Sequence, residues 1–232
     1  MLISLLRSGT ADLFTVIMYI LSTLMTIFLV LPLHEFAHGF VANKLGDNTA
    51  KRQGRLTLNP LAHIDYMGAA LLLIVGFGWA KPVPINARNF KNPKVGMAIS
   101  ALAGPVSNLI AAIAAGLVYN GLFVLLGRTI GLYAVYITAW KYLFVFLQFL
   151  IMINVGLAVF NFLPIPPLDG SKIALAFLPD KIAYWILERE QMISIILMIL
   201  IFTGGLNGIL NIADDFLYSF VLWLTSLPFF WA

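Results

Sequence analysis

The first clear pattern in the chain is an almost wholly apolar run from Leu13 to Leu33. At about 1.5 Å per residue it is long enough to cross a bilayer as a helix. The run is long, lacks a small-residue cleavage pattern and flows directly into His34 and Glu35, so it is expected to be retained rather than removed as a signal peptide. A polar stretch follows from Lys44 to Tyr66. Within it Arg55-Leu56-Thr57-Leu58-Asn59 alternates as a short strand would and stops at Pro60. Residues 67–80 are apolar but too short to span alone, which predicts a re-entrant segment. Pro82, Pro84 and Pro93 make the next stretch extended or looped. A second spanning helix is predicted over 95–127, with small residues Ala101, Ala103 and Gly104 near its start, of the kind that let membrane helices approach closely. A third covers 132–163 and runs into Leu163-Pro164-Ile165-Pro166-Pro167, and 183–204 and 214–231 predict a closing hairpin around Gly204, Gly205 and Gly208. The expected fold is an all-α polytopic membrane protein with about five to six membrane segments, a small membrane-associated β element and a re-entrant segment. It forms one domain over 1–232, with a core over 13–175 and a C-terminal helical hairpin over 183–231.

Composition supports the membrane assignment. Of 232 residues, 61% are hydrophobic and only 10% are charged, too few charges to cover a water-facing surface. Cysteine is absent, which excludes disulfides, thiolate zinc sites and cysteine nucleophiles. Any metal must therefore be held by His, Asp or Glu, and the histidines are His34, His38 and His63. The net charge of +4 comes from basic residues in loops beside apolar runs, with no Arg-rich helix, which argues against nucleic acid as a partner. If the segments cross as predicted, 11 of the 14 Lys and Arg residues fall on one side, and Arg7, Arg128 and Lys141 on the other. The positive-inside rule then puts the N-terminus outside and the polar ends of the first and third spans toward the cytoplasm.

That polar end carries the chemistry. In His34-Glu35-Phe36-Ala37-His38 the two histidines stand at i and i+4, on one helix face, so both imidazoles can reach one metal with Glu35 beside it. Zinc is the natural ion for neutral nitrogen ligands with an open position. The motif is short and also occurs on exposed, salt-bridged helices of soluble proteins. Here it ends an apolar run, where each ionisable group costs about 2–3 kcal/mol to insert, so the three groups need a partner or a function. A catalytic zinc wants a third protein ligand. The position six beyond His38 is Lys44, which excludes the metzincin extension. His63, Asp65, Asp169 and the acids near the C-terminus remain. Asp169 is favoured, because it lies just past the third span at the depth of the histidine pair, in Pro166-Pro167-Leu168-Asp169-Gly170. The competing reading of Asp169 is an N-cap for a helix starting at Ser171. His63, in a basic loop, reads as a surface or interfacial residue.

The pairing of His34-Glu35-Phe36-Ala37-His38 with Asn161-Phe162-Leu163-Pro164-Ile165-Pro166-Pro167-Leu168-Asp169-Gly170 resembles the site-2 protease family of intramembrane metalloproteases. Gly54 to Asp65 and Gly78 to Pro84 look like that family's membrane-associated sheet and loop, and Ser100 to Asn108 like its middle core helix. The chain is similar to compact bacterial and archaeal members without a PDZ-like or CBS-like domain. The resemblance implies that His34, His38 and Asp169 bind one Zn²⁺ per chain and that Glu35 is the general base. It also implies that Asn161 helps to hold the substrate or the oxyanion, against the competing reading of a helix–helix hydrogen bond. The implied activity is that of an endopeptidase cutting transmembrane-helix proteins in or near the lipid. A strand at 54–59 would then pair with the unwound substrate. The rival from another class is a metal-ion transporter or channel using the same His, Glu and Asp cluster.

Overall fold

In the computed structural model, which describes residues 2, 3, 6, 12–130 and 140–230, the first apolar run and the histidine motif form one continuous helical rod, Leu13–Lys44. Its parts are α1 (Leu13–Met25), a π turn (Thr26–Val30) and α2 (Leu31–Lys44). Asp12 caps its start, accepting a hydrogen bond from the Thr15 N–H at 2.8 Å. At the π turn the Leu31 N–H reaches back to Thr26 O, and Pro32 follows at that junction, where the ladder changes register and its missing N–H is tolerated. The buried hydroxyls of Ser22, Thr23 and Thr26 each bond to a carbonyl four residues back, so these polar groups are satisfied inside the rod.

The remaining elements are α3 (Thr49–Arg52), α4 (Tyr66–Val75), α5 (Pro93–Ile130), α6 (Trp140–Phe162), α7 (Asp169–Phe177), α8 (Asp180–Glu188), α9 (Glu190–Thr203) and α10 (Asn207–Ser226). Helix α5 is the central post, packed against α2, α6, α7 and α10, while α1 lies along α6. Small residues permit this: Ala112 and Ala115 of α5 meet Ile151 and Val155 of α6 and Val221 of α10 in one buried cluster. Large apolar side chains such as Leu13, Phe28, Leu29, Leu125 and Ile195 stay exposed on the outer surfaces, as lipid-facing positions require.

Among the described residues three helices are long and apolar enough to span: Leu13–Lys44, Pro93–Thr129 and Trp140–Phe162. A fourth span is reached only if α9 and the helix after it count together, and they are bent by 79°. Among the described residues the expected five to six segments are not reached, because the stretch 183–204 breaks at Arg189 into α8 and a 14-residue α9. Gly204, at φ 76°, then closes α9 with a left-handed cap. Helix α4 is ten residues long, as a segment too short to span should be, and ends at Gly76 with φ 87°. Of the predicted third span, residues 132–139 lie outside the described residues, as does Arg7.

The β element is also absent among the described residues, where 54–59 runs as turns and bends. Alternation alone makes no strand without a neighbour to pair with, and the polar groups here are spent on loop contacts. Arg55 Nη2 donates to the carbonyls of Lys81 (2.9 Å) and Pro82 (3.1 Å), and His63 Nε2 donates to Thr57 O (2.8 Å).

Tyr19, fully buried on α1, donates to the carbonyls of Leu72 (3.4 Å) and Leu73 (3.3 Å) in the last turn of α4. Leu72 O also accepts the Gly76 N–H at 3.0 Å, so the hydroxyl adds a further donor to last-turn carbonyls that cannot turn to water inside lipid. Tyr19→Phe is expected to destabilise the protein by about 0.5–1.5 kcal/mol. The readout is the thermal unfolding midpoint in detergent, and an unmoved midpoint would mark the contact as incidental.

Candidate metal centre

His34 and His38 stand one turn apart on α2, and the first residue of α7 faces them. The chain gets there by ending α6 at Phe162 and turning through prolines 164, 166 and 167. Gly170 is packed so closely on the carbonyls of Phe162 and Leu163 that a Cβ would collide with both. The N-cap of α7 is Leu168, with no side-chain cap bond, so the Asp169 carboxylate is not spent on capping and turns inward.

His34, Glu35, His38 and Asp169 are all buried, at 5%, 8%, 6% and 6% exposure, in the middle of an apolar protein. Asp169 Oδ2 lies 3.3 Å from His34 Nε2 and 3.0 Å from His38 Nε2, and the two Nε2 atoms are 3.0 Å apart. Ligand atoms set tetrahedrally around zinc at about 2.0–2.1 Å stand roughly 3.3–3.4 Å from one another, so the triangle is close to the required size. The hydrogen-bond inventory points the same way. His38 Nδ1 is 2.7 Å from Ser100 O, which only accepts, so Nδ1 carries the proton and Nε2 offers a lone pair. Extra protons could satisfy both contacts to Asp169 only by setting two N–H groups against each other across the 3.0 Å gap between the rings. One divalent cation satisfies all three contacts, and the donor set of two imidazoles and one carboxylate suits zinc.

The close approach of α5 depends on Gly104. A Cβ there would strike His38 Nε2 and His34 Cε1. Gly104→Ala is expected to push both rings off the metal position, at an overpacking cost of about 1–3 kcal/mol. Zinc content per purified chain is the measurement, and wild-type content would contradict the tight fit.

Glu35 points along the same wall, and its Oε2 accepts from the Val83 N–H at 2.7 Å. Val83 belongs to an extended segment, 79–86, that is tied down at three places. Lys81 N–H donates to His63 O (2.7 Å), Arg55 holds the carbonyls of Lys81 and Pro82, and Asn86 N–H donates to Asp47 Oδ2 (2.7 Å). Asp47 also accepts from Asn89 Nδ2 and from both the N–H and hydroxyl of Thr49. Burial opposes its charge, yet these bonds outweigh it and hold its carboxyl below the ordinary range. A cavity of about 810 Å³ opens onto the cluster, lined by α1, α2, α6, α9, α10 and segment 79–86.

The other sequence candidates fall elsewhere. Asp65 caps α4 through the Gly68 N–H at 2.9 Å. Asp214 lines the cavity without joining the cluster. His63 is not a surface residue: it is 1% exposed and closes its own loop through Thr57. Asn161 lines the cavity and donates Nδ2 to Leu157 O of its own helix at 3.0 Å. Sequence reasoning missed Ser100, Val83, Asp47 and Lys172. Only Lys172 carried a local signal, at i+3 from Asp169 on one helix face.

The sequence model of peptidase family M50 matches residues 22–204. A relative from Bacillus subtilis (strain 168), named "Putative zinc metalloprotease YwhC", is 38% identical over 208 residues, covering 88% of this chain and 84% of its own length. A protein of the same description named Rip2, from Mycolicibacterium smegmatis, is 31% identical over 182 residues, covering 76% of this chain and 65% of its own length. Rip2 of Mycobacterium tuberculosis (strain H37Rv) is 27% identical over 202 residues, covering 85% of this chain and 70% of its own length. No solved structure matches the chain.

Proposed function

Because the chain belongs to peptidase family M50, and so is a zinc metalloprotease, we propose that it is an intramembrane endopeptidase that hydrolyses peptide bonds in or near transmembrane helices of other proteins. The observation that carries this reading is the convergence of His34, His38 and Asp169, from two separate helices, inside an apolar helical bundle with Glu35 on the adjoining wall. His34, His38 and Asp169 would hold the ion. Zinc, when bound there, supplies a Lewis acid that acidifies water and polarises a carbonyl.

The rest falls to the protein's own groups. Glu35 takes a proton from the attacking water and passes it to the leaving amine. The Val83 N–H on Oε2 fixes the carboxylate and leaves Oε1 for that water. Asn161 has one Nδ2 hydrogen engaged by Leu157 O, and its second is available to a substrate carbonyl, so we assign it a substrate-holding role. Burial keeps bulk water out and strengthens each of these interactions. A helical substrate must unwind before its carbonyls can be attacked, and the extended segment 79–86, rather than 54–59, is the backbone that lines the cavity beside it. By the distribution of basic residues, we place the protein in the cell membrane with its N-terminus outside and this site toward the cytoplasmic face.

Co-expression with a panel of tagged single-pass membrane proteins tests the proposal. A shorter tagged product is expected with the wild type alone. Full-length tags throughout a broad panel, from protein shown to contain zinc, would count against intramembrane cleavage.

A further inference from the structure

Asp169 has two carboxylate oxygens, and the structure treats them differently. Oδ2 faces the two Nε2 atoms, at 3.3 and 3.0 Å. Oδ1 faces the Lys172 ammonium, at 3.1 Å. Lys172 stands three residues on along α7, on the same helix face, and it also lines the cavity. This is not an ordinary surface pair, because the Asp169 side chain is only 8% exposed while the Lys172 side chain, 41% exposed, reaches it from the open side.

We propose that Lys172 is a positioning residue that holds Asp169 to coordination through a single oxygen. The inference rests on the reading that this cluster holds zinc. The two oxygens of a carboxylate are roughly 2.2 Å apart, as two bonds of carbonyl length require, so a cation on one is within reach of the other. Carboxylates bind cations through one oxygen or both, and binding through both would take up the open position that a catalytic zinc keeps. The ammonium prevents this in two ways. It occupies the lone pairs of Oδ1, and its charge repels a second cation from that side. Lys172 thus does for the carboxylate what Ser100 O does for His38: each fixes which atom of the ligand faces the ion.

The test uses the full-length protein in detergent, loaded with Co²⁺ in place of zinc, as wild type, Lys172→Met and Lys172→Arg. Four-coordinate cobalt absorbs visible light more strongly than five-coordinate cobalt. Lys172→Met is expected to weaken the band at equal cobalt content and to lower zinc-supported proteolysis by roughly 10–100-fold. Lys172→Arg keeps a charged donor in reach of Oδ1 and is expected to restore both. If Lys172→Met does not yield folded protein, Lys172→Gln takes its place with the same expectation. A wild-type spectrum in Lys172→Met, or an equal defect in Lys172→Arg, overturns the proposal, as does failure of the wild type to bind cobalt. Cobalt bound by a wild type that cuts nothing would sink the peptidase reading and still leave the spectra to decide the role of Lys172.

Discussion

Glu35→Gln is expected to leave the protein folded and its zinc in place while cleavage falls by roughly 10²–10⁴-fold, the usual share of a general base. The substitution keeps the shape of the side chain and one oxygen able to accept from the Val83 N–H, so segment 79–86 should stay docked on α2. Glu35 is not among the three groups whose atoms converge, so the ion keeps its ligands. Only the proton-accepting power is lost. Metal analysis and product detection on the same preparation separate the alternatives. A transporter using this cluster would show changed metal flux and no product from either protein. Zinc lost together with activity would mean that Glu35 supports the ligands rather than the reaction.

Much of the centre was legible because its first half is local. Two imidazoles four residues apart on one helix can be read from spacing alone, and a proline-bounded Asp just past the end of another span marks the carboxylate that meets them. What holds these groups in place was not legible. Ser100 is 62 positions from His38, and Val83 is 48 from Glu35, both through backbone atoms that any residue type would offer. Gly104 was visible as a small packing residue, but not as the one that admits both rings. His63 was misplaced because its neighbours are basic, whereas its ring folds back onto its own loop, where Thr57 O accepts from Nε2. The span count failed for a related reason. The reading of 183–204 as one apolar stretch passes over Glu188-Arg189-Glu190-Gln191, where the helix breaks, and Gly204 then ends α9 through its left-handed backbone.

Asp169→Ala is expected to have the second large effect, on metal content first and on activity as a consequence. One ligand's share is about a quarter of the 10–16 kcal/mol with which a four-ligand zinc site binds, or roughly 2.5–4 kcal/mol, which weakens binding on the order of 10²–10³-fold. The loss should also be felt as stability. His34 and His38 belong to α2 and Asp169 to α7, so the ion joins two elements separated by more than a hundred residues of chain. Chelation should therefore lower the thermal unfolding midpoint of the wild type, because a ligand that binds only the folded state stabilises it. The Asp169→Ala midpoint should already be low and should not respond to chelator. Asp169→Asn, which keeps an oxygen but loses the charge, should fall between the two. A zinc content and chelator response equal to the wild type in Asp169→Ala would show that the two histidines bind without α7, and the centre would then need a different third ligand.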